Sequence, residues 1–294
     1  MTRLVQIIHP EYGRRVALVN EDELHLLSTY RSAYAFAMAA IETGQKLRDL
    51  LSTDLSGIVL DYREVHALRS AWRFLPSFDH PEHPACCLVS GCANAHGPGT
   101  LPPAAPPWFI KGNGMHLRAH GEPLMGGAEE AELAAVYLIG PDGVPRRVGL
   151  TPGNEFADPA IVQQDARLLS RAKLRACAIG PELALDADFD DVSGSVAVER
   201  GGVSIWSKEI RTGEKRTAFR LEEIERHHFE FEAHRIPGDA HVHFLGGSVS
   251  SFGDGVVLKE GDEVVIHWEG FGRPLRNPIQ KETGRSPTSG VMPL

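Results

Sequence analysis

The sequence predicts an α+β fold in which strands dominate and a few helices lie between them. From about Ala85 onward, Gly and Pro cut the chain into short apolar or alternating runs, the pattern of strands and turns. Helical spacing is confined to a few stretches, chiefly "RSAYAFAMAAIETG" and "DPAIVQQDARLLSRAKLRA". No repeat with a period of roughly 20 to 50 residues is evident, so a stacked-repeat architecture is not predicted.

Taken in order, "RLVQII" and "RRVALV" flank the turn-like "HPEYG" and predict a hairpin. An Ala-rich helix follows and ends at Gly44. Shorter helical pieces lie near "KLRDLLS" and "DYREVHALR", and "FLPSFDHPEHP" predicts an extended linker. These residues, 1–80, make a small N-terminal module. Strands are predicted at "PACCLVSG", "WFIKGNG", "AELAAVYLIG" and "RRVGLTPGNE", with "GPGTLPPAAPP" as a rigid loop. Asp158 as cap and Pro159 at the first helical position open the next helix. Later strands are "SGSVAVERGG", "VSIWSKEI", "DAHVHFLGG" and "DEVVIHWEGFG", with a helix at "EIERHHFEFEA". The main unit is thus 85–280, and the polar Gly/Pro/Ser-rich segment 281–294 predicts a flexible tail.

A net charge of -9 with no Lys/Arg-rich run provides no electrostatic footprint for nucleic acid or anionic lipid. No apolar run approaches the roughly 18 residues of a membrane span. The start, "MTRLVQIIHPEYG", lacks the features of a secretory signal, and a cytoplasmic location is the expectation. Cys86, Cys87 and Cys92 sit in an apolar segment without the spacing of a paired CxxC zinc site, so buried reduced thiols are expected. A Cys92/His96 metal pair is the alternative.

The chemistry-bearing pattern is "EEAELAAVYLIG". An apolar run that fits a buried strand begins with three acids in four positions, Glu129, Glu130 and Glu132. Alternation puts Glu130 and Glu132 on one face, roughly 6.6 Å apart along the strand. Such carboxylates repel unless water, a proton or a cation intervenes. A hard divalent cation needs about three converging oxygen ligands, and Glu155 in "TPGNEFAD" is the candidate third. The plain alternative is a solvated edge face, but the pair leads directly into an apolar strand.

The ordered series "WFIKGNG", "AEEAELAAVYLIG", "VGLTPGNEFAD" and "KLRACAIGPEL", closed by "IPGDAHVHFLGG" and "LKEGDEVVIHWEGFGRPLRNPI", resembles the fumarylacetoacetate hydrolase superfamily over roughly Ala85 to Ile279. "GNEF", "RHHFEF" and "FGRPLRNP" resemble the branch related to 2-keto-3-deoxy-arabinonate dehydratases. The resemblance implies a mixed β-sheet roll with a small N-terminal α/β module, and a homodimer. It implies Mg²⁺ or Mn²⁺ held by Glu130, Glu132 and Glu155. Lys173 matches the lysine for acid/base work, and His96 matches the lid histidine. Lys111 matches a lysine for which a substrate role and a structural ion pair stand equal. Ser248 and Gln164 are the candidate substrate contacts.

Departures from the family pattern bear on the reaction. Hydrolytic members carry a glutamate three residues after the lid histidine, where this chain has Gly99, and the pattern's tyrosine is Ala95. The expected activity is therefore addition or elimination of water on a 2-oxo acid, such as a 2-keto-3-deoxy sugar acid. Lys173, provided burial beside the cation lowers its pKa, would shuttle the proton, with His96 as leaving-group acid. A hydrolase of acylpyruvate-type diketo acids, a biosynthetic cyclase or isomerase on a larger substrate, and a non-catalytic descendant are the alternatives. In "RHHFEFEAHR", adjacent His227 and His228 cannot share a helix face, which argues against a second metal site and for packing. His241 and His243 share a strand face.

Overall fold

The computed structural model describes residues 1–93, 105–247 and 249–281. The N-terminal hairpin forms as its alternation predicts. Strands β1 (Arg3–His9) and β2 (Gly13–Asn20) pair antiparallel, and β3 (Glu23–Leu27) adds to β2. Helix α1 (Ala33–Thr43) buries Ala33, Phe36, Ala37 and Ala40, one apolar stripe at helical spacing. The Ser32 hydroxyl accepts the Ala35 N–H at 3.0 Å, and Gly44 stops the helix at φ 69°. Helix α2 (Leu47–Thr53), strand β4 (Leu55–Asp61), helix α3 (Tyr62–His66) and strand β5 (Arg73–Phe74) follow. Strands β3 and β4 go beyond the sequence expectation. The first has five residues, and the second is exposed along nearly its whole length and carries Gly57, so neither shows a readable alternation.

The larger part begins with β6 (Cys87–Cys92), β7 (Trp108–Asn113), β8 (Leu117–Arg118) and β9 (Leu124–Met125). Strands β10 (Ala131–Ile139) and β11 (Pro145–Asn154) form its central hairpin. Next come α4 (Pro159–Gln164), α5 (Leu169–Lys173), β12 (Cys177–Ile179) and β13 (Glu182–Ala184). The remainder comprises β14 (Val192–Arg200), β15 (Val203–Thr212), α6 (Leu221–Phe229), β16 (Ala240–Phe244), β17 (Asp262–Trp268) and β18 (Leu275–Gln280). The single helix expected over residues 158–176 is broken. Asp165 is extended at φ −158°, and its carboxylate caps the next short turn by accepting the Arg167 N–H at 2.9 Å. Asp158 precedes Pro159 as expected, but its carboxylate pairs with Arg175 instead of capping.

One sheet runs β4-β3-β2-β1-β13-β11-β10-β16-β6-β7, with β5, β8 and β12 attached. The N-terminal strands are continuous with it, since β1 pairs with β13 at Arg3↔Ala184. A second sheet runs β15-β14-β17-β18-β9. Parallel β16–β6 and antiparallel β10–β11 pairs coexist, the mixed α+β architecture expected. One face of β10 packs Leu133, Ala135 and Tyr137 against Val196, Val264, Ile266 and Trp268 of the second sheet. The other face packs Ala134, Val136 and Leu138 with Ala33 and Ala37 of α1. Burial on both faces explains the unbroken apolar run. Among the described residues no helix is long and apolar enough to cross a membrane. None of the four cysteines forms a disulfide, and Cys87, Cys92 and Cys177 are buried.

Helix α6 lies over β16 and turns His228 inward, while His227 faces Glu230 outside. His228 meets His241 and His243, with ring centroids 5.1 and 4.4 Å away. The Trp108 indole N–H can only donate, and it donates to His228 Nδ1 at 3.1 Å. His228 Nε2 therefore carries the hydrogen that faces His241 Nδ1 at 3.0 Å. Burial holds His241 and His243 down to about 3, reinforced by neighbouring histidines. An unfolded imidazole takes its proton near 6.5, so the stability these residues support above that pH is lost as pH falls from about 6.5 toward 3. Thermal melts between pH 7.5 and 5 should show a shallower slope of Tm against pH for a His241→Gln/His243→Gln variant than for wild type. Equal slopes contradict the assignment.

Candidate metal centre

Glu132 is the second residue of β10, and Glu130 stands one residue before the strand on the same side. The β10–β11 register sets Glu132 opposite Gly153 and Ala131 opposite Asn154. Glu155 follows directly, and its N–H donates to the Glu130 carbonyl at 3.0 Å. All three acids thus reach the same sheet end, each offering a carboxylate oxygen within 4.8 Å of the others. Glu132 is 2% exposed and Glu155 0%, while the Glu130 side chain, 29% exposed, marks the open side.

Two lysines enter this acidic nest. The pairing of β7 with β6 skips Lys111, a bulge that re-aims its side chain inward. Lys111 Nζ lies 2.7 Å from Glu155 and donates to the Phe156 carbonyl at 2.6 Å. Of the two roles open for Lys111, it is engaged in the ion pair. Lys173, the last residue of α5, reaches Glu130 at 2.7 and 2.9 Å and Glu155 at 2.5 Å, above the Phe109 ring. Phe156 adopts φ 42°, costly for a bulky residue, and this turn aims its carbonyl at Lys111.

The electrostatics follow from crowding. Burial, then the charge of Glu155, pushes Glu130 up to about 7, and burial with both neighbouring acids raises Glu132 well above the carboxylate range. Burial also opposes ionisation of Glu155, but Lys111 and Lys173 outweigh it and hold its pKa low. Among these side chains burial acts downward on Lys173, but Glu155, Glu130 and Glu132 outweigh it and raise the ammonium pKa.

The residues fit a hard divalent cation. With all three acids ionised, as a cation would hold them, three carboxylates and two ammonium groups carry one net negative charge, and every donor is oxygen. Oxygens around Mg²⁺, each about 2.1 Å from the ion, stand roughly 3 to 4 Å apart. A spread within 4.8 Å closes on such an ion by side-chain adjustment.

Gln164 ends α4 and is exposed. His96 and Ser248 lie outside the described residues. Sequence reasoning missed the groups that hold the ligands in place. The Gly246 N–H donates to Glu132 at 2.8 Å, and the Trp268 indole N–H donates to the Glu132 carbonyl at 3.0 Å. Glu129 turns away from Glu130 and Glu132 to Ser251. Strand alternation signals the divergence of Glu129, whereas the other contacts are long-range.

No family model matches the chain, and no curated protein matches it. Solved structures share its fold. A 2-keto-3-deoxy-D-arabinonate dehydratase complexed with magnesium and 2,5-dioxopentanoate superposes with TM-score 0.71 at 17% identity, covering 95% of this chain and 99% of the other. A 2-hydroxyhepta-2,4-diene-1,7-dioate isomerase from Mycobacterium marinum has TM-score 0.63 and 17% identity over 97% of this chain and 100% of its own. A 5-carboxymethyl-2-hydroxymuconate delta-isomerase from Mycobacterium smegmatis has TM-score 0.64 and 18% identity over 95% and 100%. The dehydratase and the 2-hydroxyhepta-2,4-diene-1,7-dioate isomerase are members of the fumarylacetoacetate hydrolase superfamily. The resemblance seen in the sequence therefore holds for the fold.

Glu130→Gln should weaken Mn²⁺ binding by more than about tenfold in calorimetric titration, since a charged ligand becomes a neutral one. Unchanged affinity would place the ion elsewhere. Lys111→Met should cost about 3 kcal/mol in urea unfolding, because it strips a buried carboxylate of one cation. A change under about 0.5 kcal/mol contradicts this pairing.

Proposed function

We propose that the chain is a divalent-metal-dependent lyase that removes water from, or adds it to, a 2-oxo acid, with 2-keto-3-deoxy sugar acids as the substrate class. The observation that carries this reading is the Glu130–Glu132–Glu155 cluster, two of its acids buried, with Lys173 bridging Glu130 and Glu155. Mg²⁺ or Mn²⁺ bound there would stabilise charge developing on a keto oxygen. Glu130, Glu132 and Glu155 hold the ion. Lys173 lies where it can exchange a proton with a substrate carbon or oxygen, and Lys111 keeps Glu155 ionised. Gly99, at the position of the hydrolytic glutamate, weighs against C–C hydrolysis. The fold shared with a dehydratase agrees with this reading. The isomerases that share the fold favour a second one, proton return without loss of water.

Lys173→Met is expected to lower turnover of a 2-keto-3-deoxy sugar acid by about 10²- to 10⁴-fold, the usual contribution of a positioned acid/base. Mn²⁺ should still bind. Full activity in that variant removes Lys173 from the mechanism. Cleavage of acetylpyruvate in preference to the sugar acid overturns the lyase assignment.

A further inference from the structure

We propose that Glu129 is a positioning residue that fixes the segment after β16 against the metal-ligand strand and thereby sets substrate affinity; this rests on the 2-oxo acid reading above. The segment is tied once to β10 and once to Glu129, two residues before that strand. At its start, the Leu245 N–H donates to the Leu133 carbonyl at 3.0 Å, and the Gly246 N–H donates to Glu132 at 2.8 Å. Gly247 passes so close that a Cβ there would stand 3.2 Å from the Ala131 carbonyl oxygen and from Glu132 Cγ. At the far end, Glu129 Oε1 accepts the Ser251 N–H at 2.5 Å and Oε2 accepts its hydroxyl at 2.8 Å. Glu129 and Ser251 are both 0% exposed. Ser251 opens a short turn, Ser251–Asp254, that Gly255 ends at φ 81°. Two acids three positions apart therefore hold the two ends of one segment, and one of them is a candidate metal ligand.

The choice of an acid is informative. A carboxylate is acceptor-only and can receive two donors from one residue on its two oxygens. An amide in its place offers one acceptor, and its NH₂ would face a donor. Glu129→Gln therefore loses one of the two bonds without changing side-chain size. Ser251→Ala loses the hydroxyl bond alone, and Ser251→Thr keeps both donors.

The test uses full-length protein saturated with Mn²⁺, with oxalate as the 2-oxo acid mimic. Glu129→Gln should bind oxalate about tenfold more weakly, the scale of one charge-assisted hydrogen bond. Mn²⁺ affinity should fall less than oxalate affinity, since no ligand oxygen is removed. Ser251→Ala should show a smaller loss, Ser251→Thr near wild-type affinity, and the Glu129→Gln/Ser251→Ala pair less than the sum of the two losses. Amide exchange should accelerate across residues 249–256 in Glu129→Gln. Wild-type oxalate affinity in Glu129→Gln with only a lowered Tm overturns the proposal, as does an equal loss of Mn²⁺ affinity. Mn²⁺-loaded wild type that takes no oxalate overturns the 2-oxo acid reading instead. Unchanged exchange rates in Glu129→Gln overturn the clamp in either case.

Discussion

The crowding of three carboxylates at one dry end of a sheet is the constraint around which this structure is organised. At separations within 4.8 Å, each ionised pair repels by at least about 3 kcal/mol at an effective dielectric of roughly 20. Such a site needs protons on some of its acids or cations among them. Lys111 and Lys173 supply two, one fixed by a strand bulge and the other delivered by a short helix. With all three acids ionised, one negative charge stays uncompensated, a balance that suits a divalent ion.

The surrounding architecture keeps those acids where their repulsion would otherwise scatter them. The β10–β11 register fixes Glu132 and Glu155 on neighbouring strand ends, with the Glu155 N–H pinned to Glu130. Trp268, the largest fully buried side chain, reaches across from the second sheet to the Glu132 carbonyl. Phe156 turns sharply just after the third acid, so the chain leaves the site while its carbonyl serves Lys111. Together these contacts hold one candidate ligand on β10 and the other two directly beside the ends of β10 and β11.

What could be read in the sequence was local. The unbroken run LAAVYLI announces a strand buried on both faces, and the i, i+2 spacing of Glu130 and Glu132 puts both on one side. The hairpin at Arg3–Asn20 and the Gly44 helix stop follow from alternation and from glycine's access to positive φ. What stayed hidden depends on distant partners. Strands β12 and β13 have three residues each and exist only because β11 and β1 offer edges to them. The 158–176 helix looked continuous because nothing in its periodicity reveals that Asp165 will cap a new turn. The adjacency of His227 and His228 correctly excludes a shared face. It could not disclose that His228 alone meets His241 and His243 from another element.

The lysine network also constrains the order of events in the proposed chemistry. While Glu130 and Glu155 depend on Lys173 for their charge balance, that ammonium is held firmly protonated. A protonated amine can donate to a departing hydroxyl, but it cannot take a proton from carbon. For Lys173 to serve as a base in that chemistry, those carboxylates would need another cation, which would relieve the attraction that raises its pKa and leave desolvation to act. Burial, the first force acting on this side chain, then favours the neutral amine. In the proposed chemistry, the ion pairs that offset the crowding of the acids are thus the same ones that would keep Lys173 protonated until a cation replaced it.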